Sequence, residues 1–274
     1  MKKIFLPTSI VCLLTAFFAF SSFKAKSNKI TTENAVVSVT TNDNAEENKS
    51  VAAVSNKIYD SLQLDNLGLS REVMQLAYKG QQELVNRGVL DNSDLIAICD
   101  FSQSSSKKRL YIIDTRNYRV VYNTFVAHGK NSGLNYAEKF SNTPESLQSS
   151  LGFYRTKGTY FGKHGLSLKL EGLERGFNDN AEERAVVMHG AEYIGDSRIG
   201  SAYMGRSFGC PAVPQAQSER IISILKNGSC LFIYHPTQKY LNASKILNAW
   251  FGRKQGWMNK ARRTLWLGFC FLLL

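Results

Sequence analysis

Short apolar runs separated by polar turns occupy the middle of the chain. The runs LIAIC, RLYIID and YRVVYNTFVA, at 95–99, 109–114 and 118–127, are rich in β-branched and aromatic residues, and this composition favours strands. The polar residues Asp114 to Asn117 separate the second run from the third. We therefore predict that these two runs form a hairpin.

Later apolar runs extend the predicted sheet. Residues 151–154 and 159–161 predict another hairpin, 186–188 predict a short buried strand, and 230–234 predict a buried strand that closes the sheet. Residues 168–180 mix glycines, charges and leucines without a clean period. For that segment we predict irregular structure.

Two segments show the period of amphipathic helices. The first begins after Ser70, a residue type that caps helices, and ends near Gly88. The second spans 215–225 and ends at Gly228. We therefore predict a mainly β fold, sandwich or barrel-like, with a few peripheral α-helices. The apolar face of the first helix consists of Val73, Leu76, Ala77, Leu84 and Val85.

The two ends of the chain differ from this domain in composition. Residues 1–25 place two lysines ahead of an apolar stretch and a polar exit, which is the pattern of a signal peptide or an N-terminal anchor. Residues 26–56 are rich in Thr, Asn, Glu and Ser, so we predict a disordered tether there. Residues 57–236 are assigned to the domain with its leading helix, and 237–274 to a basic, aromatic C-terminal extension.

The predicted signal segment and the net charge limit the classes of binding partner that we expect. The N-terminal signal predicts a protein of the periplasm or cell envelope. A formal net charge of +12 favours an anionic partner. We expect no nucleic-acid partner, because the sequence has no zinc finger, RNA-binding signature or long Lys/Arg tract. Membrane contact through the N-terminal segment or the C-terminal tail stays open as an alternative.

One histidine and one cysteine stand out as candidate chemistry. His189 follows the predicted strand 186–188, and Cys210 stands in a glycine-bearing loop. A thiol with a pKa of about 8.5 is mostly protonated at neutral pH, so a cysteine nucleophile needs a nearby base to accept its proton. A cysteine beside glycines is also the pattern of a small buried apolar residue. This pair is nevertheless our candidate catalytic pair.

The residues around the cysteine predict its oxyanion hole. Gly209 precedes Cys210 and lets the backbone turn sharply, whereas Pro211 follows it and has no N–H to donate. We therefore expect the N–H groups of Gly209 and Cys210, with help from that of Phe208, to form the oxyanion hole.

The order of these residues resembles the L,D-transpeptidases of bacterial cell walls, also called YkuD-type domains. Among them it is most similar to the divergent branch of murein L,D-transpeptidase catalytic domains. That family has a histidine, a spacer and then Ser/Thr-His-Gly-Cys; here His189 precedes Ser207-Phe208-Gly209-Cys210. The resemblance covers roughly 95–236. It implies Cys210 as nucleophile, His189 as base and Ser207 as a nearby catalytic hydroxyl. Phe208 replaces the second histidine of the motif, and Ala212 stands where the family has Asn or Arg.

The resemblance implies an exported cysteine acyl-transferase that crosslinks peptidoglycan stem peptides through a Cys210 thioester. We expect Arg206 and Arg198 to bind substrate carboxylates, because a guanidinium group binds them in a bidentate way. Gly190 is expected to line the same substrate site. We predict no cofactor, and no metal site, because no histidine has partners at ligand spacing.

Two other functions stay open. An L,D-carboxypeptidase would use the same residues and hydrolyse the thioester, so only its products would differ. A non-catalytic module that binds the cell wall would not need the thiol. Papain-like and NlpC-type peptidases place the cysteine before the histidine, and the opposite order here argues against them.

Two further histidines are interpreted as loop residues. His128 follows the third strand-like run and either lines a substrate groove or is solvated. His164 lies in the turn Lys163-His164-Gly165, and we interpret it as solvated.

Overall fold

Residues 35–249 are the part of the chain that the computed structural model describes, with side chains described from residue 48 onward. The predicted signal segment 1–25 and the tail beyond residue 249 lie outside these residues. Export and membrane contact therefore stay predictions. Within the described residues, no helix combines the length and the apolar character needed to cross a membrane.

One eight-stranded sheet forms the centre of the described residues. Its strands in chain order are β1 Asn92–Asp100, β2 Leu110–Asp114, β3 Arg119–Thr124, β4 Gly152–Gly162, β5 Gly165–Gly172, β6 Val187–Ala191, β7 Ala212–Pro214 and β8 Ser229–Tyr234. In space they follow the order β3-β2-β1-β8-β4-β5-β6-β7. The pairs β1 with β8 and β6 with β7 are parallel, and the other neighbours are antiparallel.

The two edges of the sheet approach each other. Beyond β3, Ala127 forms a bridge with Ala212 of β7, and Gly129 forms a bridge with Ser207. These bridges connect the first and last strands in the spatial order, so the sheet is nearly closed into a barrel. The predicted fold class, mainly β with a few peripheral helices, is confirmed.

The described residues contain four α-helices: α1 Ala35–Ser61, α2 Arg71–Asn86, α3 Gln215–Leu225 and α4 Gln238–Ala243. Helix α2 begins where the sequence predicts, because the Ser70 hydroxyl accepts the Val73 N–H over 3.2 Å. It ends before Gly88, which adopts a positive φ of 67°. The predicted helix 215–225 is also confirmed.

The second predicted hairpin folds differently from the prediction. Strand β4 runs through both of its apolar runs and pairs with β5, which covers the first part of the segment predicted as irregular. The turn lies at Lys163 and His164. The burial of β5 explains this pairing, because Leu168 and Leu170 are buried and Lys169 between them is exposed. That alternation is the two-residue period of a strand.

Helix α1 replaces most of the predicted tether. Residues 35–56 are helical, although their composition is polar. The end of this helix carries Ile58, which is fully buried in the core, and Tyr59, whose hydroxyl donates to the Leu69 carbonyl over 2.9 Å. A helix that is packed at one end can extend at its free end, because each added residue adds one backbone hydrogen bond.

The predicted boundary at 236 is too early. Tyr240, Ile246 and Leu247 are buried in the same core as the sheet. The Tyr240 hydroxyl donates to the buried Glu174 carboxylate over 2.7 Å, and the Ser244 hydroxyl donates to it as well. A buried carboxylate is stable only when donors surround it. Residues up to Leu247 therefore belong to the domain.

We predict that Gly80→Ala destabilises the protein. A β-carbon on Gly80 would lie 2.0 Å from Phe153 Cζ, and the Phe153 ring is held by stacking on Phe232. Alanine in a helix gains about 1 kcal/mol over glycine, whereas overpacking a core site costs about 1–3 kcal/mol. We expect a lower urea midpoint for unfolding.

The matched control for this prediction is Gly158→Ala in β4, where an added β-carbon meets no atom within 4 Å. Its unfolding midpoint should stay close to that of the unmodified protein. Equal or greater stability of Gly80→Ala would show that α2 does not pack on the sheet as described.

Candidate active site

Two parallel strands bring the predicted cysteine next to the strand that carries the predicted histidine. In the pairing of β6 with β7, His189 lies opposite Ala212, two residues after Cys210. Val187 is on the same face of β6 as His189, and its N–H donates to Cys210 Sγ over 3.4 Å. The thiol therefore lies beside the strand that carries the imidazole. The sequence analysis predicted His189 just beyond the end of this strand, whereas the structure places it within β6.

The imidazole of His189 is held as a neutral base. Its Nδ1 is 2.8 Å from the Gly190 carbonyl oxygen, and because a carbonyl only accepts, Nδ1 carries the proton. That tautomer leaves Nε2 with a lone pair. Burial lowers the pKa of His189, and a charge on His164 lowers it further. The side chain is therefore uncharged at neutral pH.

The thiol of Cys210 is protonated at rest. Cys210 keeps part of its surface in solvent, yet the atoms around its sulfur desolvate it, and this burial raises the pKa of the thiol. The Val187 N–H and the Arg184 guanidinium oppose that rise. Among the described residues, the sulfur contacts the Val187 N–H and, over 3.8 Å, the Ala185 carbonyl, and no hydrogen bond joins it to His189.

Arg184 is a site residue that the sequence analysis missed. Its guanidinium is half-buried and would lie 3.4 Å from a β-carbon on Gly209. It donates to oxygens of the 141–150 loop, namely those of Ser141, Ser146, Gln148 and Ser150. Arg184 therefore joins that loop to the cysteine loop and places a positive charge near the sulfur. In the sequence, Arg184 could have been found only from its position just before the strand that carries His189.

Ser207 and Gly209 form hydrogen bonds within the cysteine loop. The Ser207 hydroxyl donates to the Cys210 carbonyl over 2.6 Å and accepts the Gly209 N–H over 3.1 Å. Ser207 is therefore a positioning residue of the loop, not a hydroxyl at the sulfur. Because its N–H is used, Gly209 is not free to serve the oxyanion hole. Within the described residues, the N–H groups of Phe208 and Cys210 make no hydrogen bond.

The predicted substrate-binding residues separate into different environments. Arg206 is partly exposed near the cysteine loop, where it donates to the Lys130 carbonyl over 3.0 Å. Arg198 lies in a short 3-10 helix, Asp196–Arg198, and no contact within the described residues places it at the sulfur. Gly190 does not face a groove, because a β-carbon there would lie 2.5 Å from Ser218 Oγ of α3. Its carbonyl instead orients His189.

His128 is a buried residue and not a solvated loop residue. Arg109, itself fully buried, donates to His128 Nδ1 over 2.7 Å and to the Val126 carbonyl. The His128 carbonyl accepts the Ser207 N–H over 2.9 Å. Burial and the Arg109 charge lower the pKa of His128 to about 4, so its ring is neutral. This network connects the core to the cysteine loop.

Comparison with protein families matches residues 65–234 to the L,D-transpeptidase catalytic domain. This chain belongs to that family. A comparison with curated protein sequences finds no match. The family's motif histidine is replaced here by Phe208, which is 71% exposed and has the Lys130 ammonium 4.7 Å from its ring centre. An exposed aromatic ring under a cation therefore stands beside the cysteine of this L,D-transpeptidase domain.

Solved structures of L,D-transpeptidases match this chain at low similarity. One from Mycobacterium smegmatis is 10% identical, with a TM-score of 0.32, and covers 52% of this chain and 59% of its own. One from Stackebrandtia nassauensis is 12% identical, with a TM-score of 0.29, and covers 60% of this chain and 66% of its own. One from Mycobacterium tuberculosis is 9% identical, with a TM-score of 0.29, and covers 52% and 58%. The L,D-transpeptidase domain described here thus spans less than two thirds of these chains.

The remaining cysteines and acidic residues form no second centre in the described part of the L,D-transpeptidase domain. Cys99 and Cys230 are buried, and neither forms a disulfide. No group of three His, Cys, Asp or Glu side chains in residues 48–249 is arranged to hold a metal ion.

We predict that Arg184→Gln makes Cys210 less reactive. The guanidinium lowers the pKa of the thiol, so removing its charge raises that pKa and reduces the thiolate fraction. Because only the thiolate reacts, we expect alkylation by iodoacetamide to be about 3- to 10-fold slower in the variant near neutral pH. The rate is measured at Cys210 by peptide mass spectrometry across a pH series.

Two controls accompany this variant. Arg175→Gln removes the same charge at an exposed position and should leave the alkylation rate unchanged. The melting temperature of Arg184→Gln shows whether the 141–150 loop stays folded. An unchanged thiol pKa in a folded Arg184→Gln protein would contradict the prediction.

The stability of the protein is predicted to fall as the pH falls from about 6.5 towards 4. In this window the unfolded chain protonates His128, whereas the folded chain does not, because the pKa of His128 is lowered to about 4. Stability therefore decreases with falling pH, by about 3 kcal/mol in total for this group. His128→Asn keeps an acceptor for Arg109 and removes the titration. Urea unfolding of both proteins at several pH values should show a flatter dependence for the variant.

Proposed function

We propose that this protein is an exported cysteine acyl-transferase that crosslinks peptidoglycan stem peptides through a thioester on Cys210. The observation that carries the proposal is the neutral His189, with a free Nε2, on the strand paired with the one that follows Cys210. Membership of the L,D-transpeptidase family supports the reaction class. Burial of the site is consistent with chemistry that must exclude water.

The first step forms the acyl-enzyme. Cys210 Sγ turns from the Val187 N–H towards Nε2 of His189, which accepts its proton. The thiolate attacks the carbonyl carbon at the L-centre of the diamino acid in a stem tetrapeptide, and a C–S bond forms. The C–N bond to the terminal D-alanine then breaks, and the imidazolium gives its proton to the leaving amine.

The oxyanion of this step needs donors that are free at rest. The N–H groups of Cys210 and Phe208 have no partner within the described residues, whereas the Gly209 N–H is held by Ser207. We therefore assign the oxyanion hole to Cys210 and Phe208. Loss of one such donor typically reduces kcat about 100- to 1,000-fold.

The second step transfers the acyl group. An amine of another stem attacks the thioester carbon, gives its proton to His189 and forms a new C–N bond as the C–S bond breaks. The sulfur leaves as a thiolate and is reprotonated. Water in place of the amine would give the L,D-carboxypeptidase reaction, which uses the same residues and remains the second candidate.

The substrate site is proposed on the exposed side of the cysteine loop. Arg206 is partly exposed there, beside Phe208 and the Lys130 ammonium. Stem peptides carry carboxylates, and guanidinium and ammonium groups bind these. The predicted N-terminal signal and the net charge of +12 support an exported protein acting at the anionic cell wall.

The experiment is an incubation of the purified protein with disaccharide tetrapeptide. Intact-mass measurement should show one acyl adduct and free D-alanine, and peptide mapping should place the adduct on Cys210. Cys210→Ala should lose both products. Cys99→Ala, which alters a fully buried thiol, should keep both and serves as the matched control.

The products separate the three candidates. A crosslinked dimer supports the acyl-transferase, and a tripeptide without a dimer supports the carboxypeptidase. A folded protein that forms no adduct and releases no D-alanine is a non-catalytic wall-binding module, which refutes the proposal.

A further inference from the structure

The ring of His164 stacks on the ring of His189. The two ring centroids are 4.3 Å apart, and the ring planes differ by 21°. His164 is an exposed residue of the turn between β4 and β5, and its sequence context indicates a solvated side chain. The contact instead connects the tip of a hairpin to the proposed base.

The geometry of the hairpin explains this contact. Strand β5 pairs with β6 so that Ser167 lies opposite His189, and His164 is three residues before Ser167. Gly162 pairs with Gly165 across the turn. Gly165 has a φ of 75°, a conformation that glycine adopts without strain, and it makes the tight reversal. The turn therefore ends beside the strand that carries the base.

Two contacts fix the orientation of the His189 ring. The Gly190 carbonyl holds Nδ1 at 2.8 Å, and the His164 ring covers one face. The hydrogen bond alone fixes one edge of the ring and leaves its plane free to tilt. Stacked rings resist tilting, and a base must be held close to its productive orientation to act efficiently.

We propose that His164 is a positioning residue for His189: its ring holds the imidazole plane so that Nε2 faces the sulfur. His164 acts here as an aromatic surface, not as an acid or a base. The kinetic part of this inference rests on the proposed function, because it is read out as acyl transfer. The contact itself is measurable without substrate.

Few groups around His189 are able to change its charge. The hairpin supplies His164, whose charge lowers the pKa of His189. Helix α3 supplies Gln215 and Ser218, which pack against the next residue of β6 and are neutral. The cysteine loop places the Cys210 thiol against Val187, two residues earlier in the same strand.

Two further titratable side chains lie near the sulfur of Cys210. Arg184 lowers the pKa of Cys210. Tyr193, just beyond β6, has its pKa raised to about 12 by burial and by the Cys210 charge, so it is neutral. A change in the titration of His189 on substitution of His164 therefore reports on this contact.

The test compares two substitutions of the same residue. His164→Ala removes the ring, and we expect about a 10-fold lower kcat with KM within about 2-fold, because the base and not the substrate loses its support. His164→Phe restores a stackable ring, and kcat should return to within about 3-fold of the unmodified protein. Lys163→Ala, the neighbouring exposed turn residue, should leave kcat unchanged.

Nuclear magnetic resonance of the substrate-free protein tests the contact directly. The pKa of His189 should rise in both His164→Ala and His164→Phe, because both lose the charge. The ring-current shift of the His189 protons should be lost only in His164→Ala. A merely structural role in hairpin stability would change neither signal in a folded variant.

The results are decisive in both directions. Wild-type kcat in His164→Ala, equal loss in His164→Phe, or an unaltered His189 titration in both variants would each overturn the inference. If the unmodified protein forms no acyl-enzyme, the proposed function fails, whereas the titration still tests the stacking.

Discussion

The parallel pairing of β6 with β7 is the constraint on which the site depends. Three residue pairs join these strands, and through them the Cys210 thiol comes to lie beside the strand that carries His189. Parallel neighbours need a long connection between them. Here that connection is the segment that ends in Ser207, Gly209 and Cys210, so the same stretch both allows the pairing and carries the nucleophile.

Both groups of the proposed catalytic pair are uncharged in the resting protein. Burial raises the pKa of the Cys210 thiol and lowers the pKa of the His189 imidazole, and each shift disfavours a thiolate–imidazolium pair. Desolvation acts on both groups in the same direction, towards neutrality. The Val187 N–H and the Arg184 charge are the nearby groups that favour the thiolate. The arrangement is therefore typical of a nucleophile that is activated when a substrate arrives, in contrast to one kept permanently ionised.

Local patterns predicted much of the fold but little of the site geometry. Helix α2 followed from Ser70 and Gly88, and most strands followed from apolar runs. The partners of individual atoms did not follow, because they depend on contacts distant in sequence: Ser207 takes the Gly209 N–H, and Gly190 packs on α3. Arg184 and His164 were missed for the same reason, since only the fold brings an exposed turn or a strand flank to the reacting atoms. For α1, the polar composition led to the prediction of a disordered tether, whereas residues 35–56 are helical.

A buried charge supports the loop of the nucleophile. Arg109 is fully enclosed just before β2, contacts His128, and His128 in turn holds Ser207, whose hydroxyl binds the Cys210 carbonyl. A guanidinium enclosed in this way tolerates few replacements, because the oxygens and nitrogen around it would be left unpaired. Substitutions of Arg109 would consequently disturb the loop of Cys210, although Arg109 precedes Cys210 in the chain by about one hundred residues.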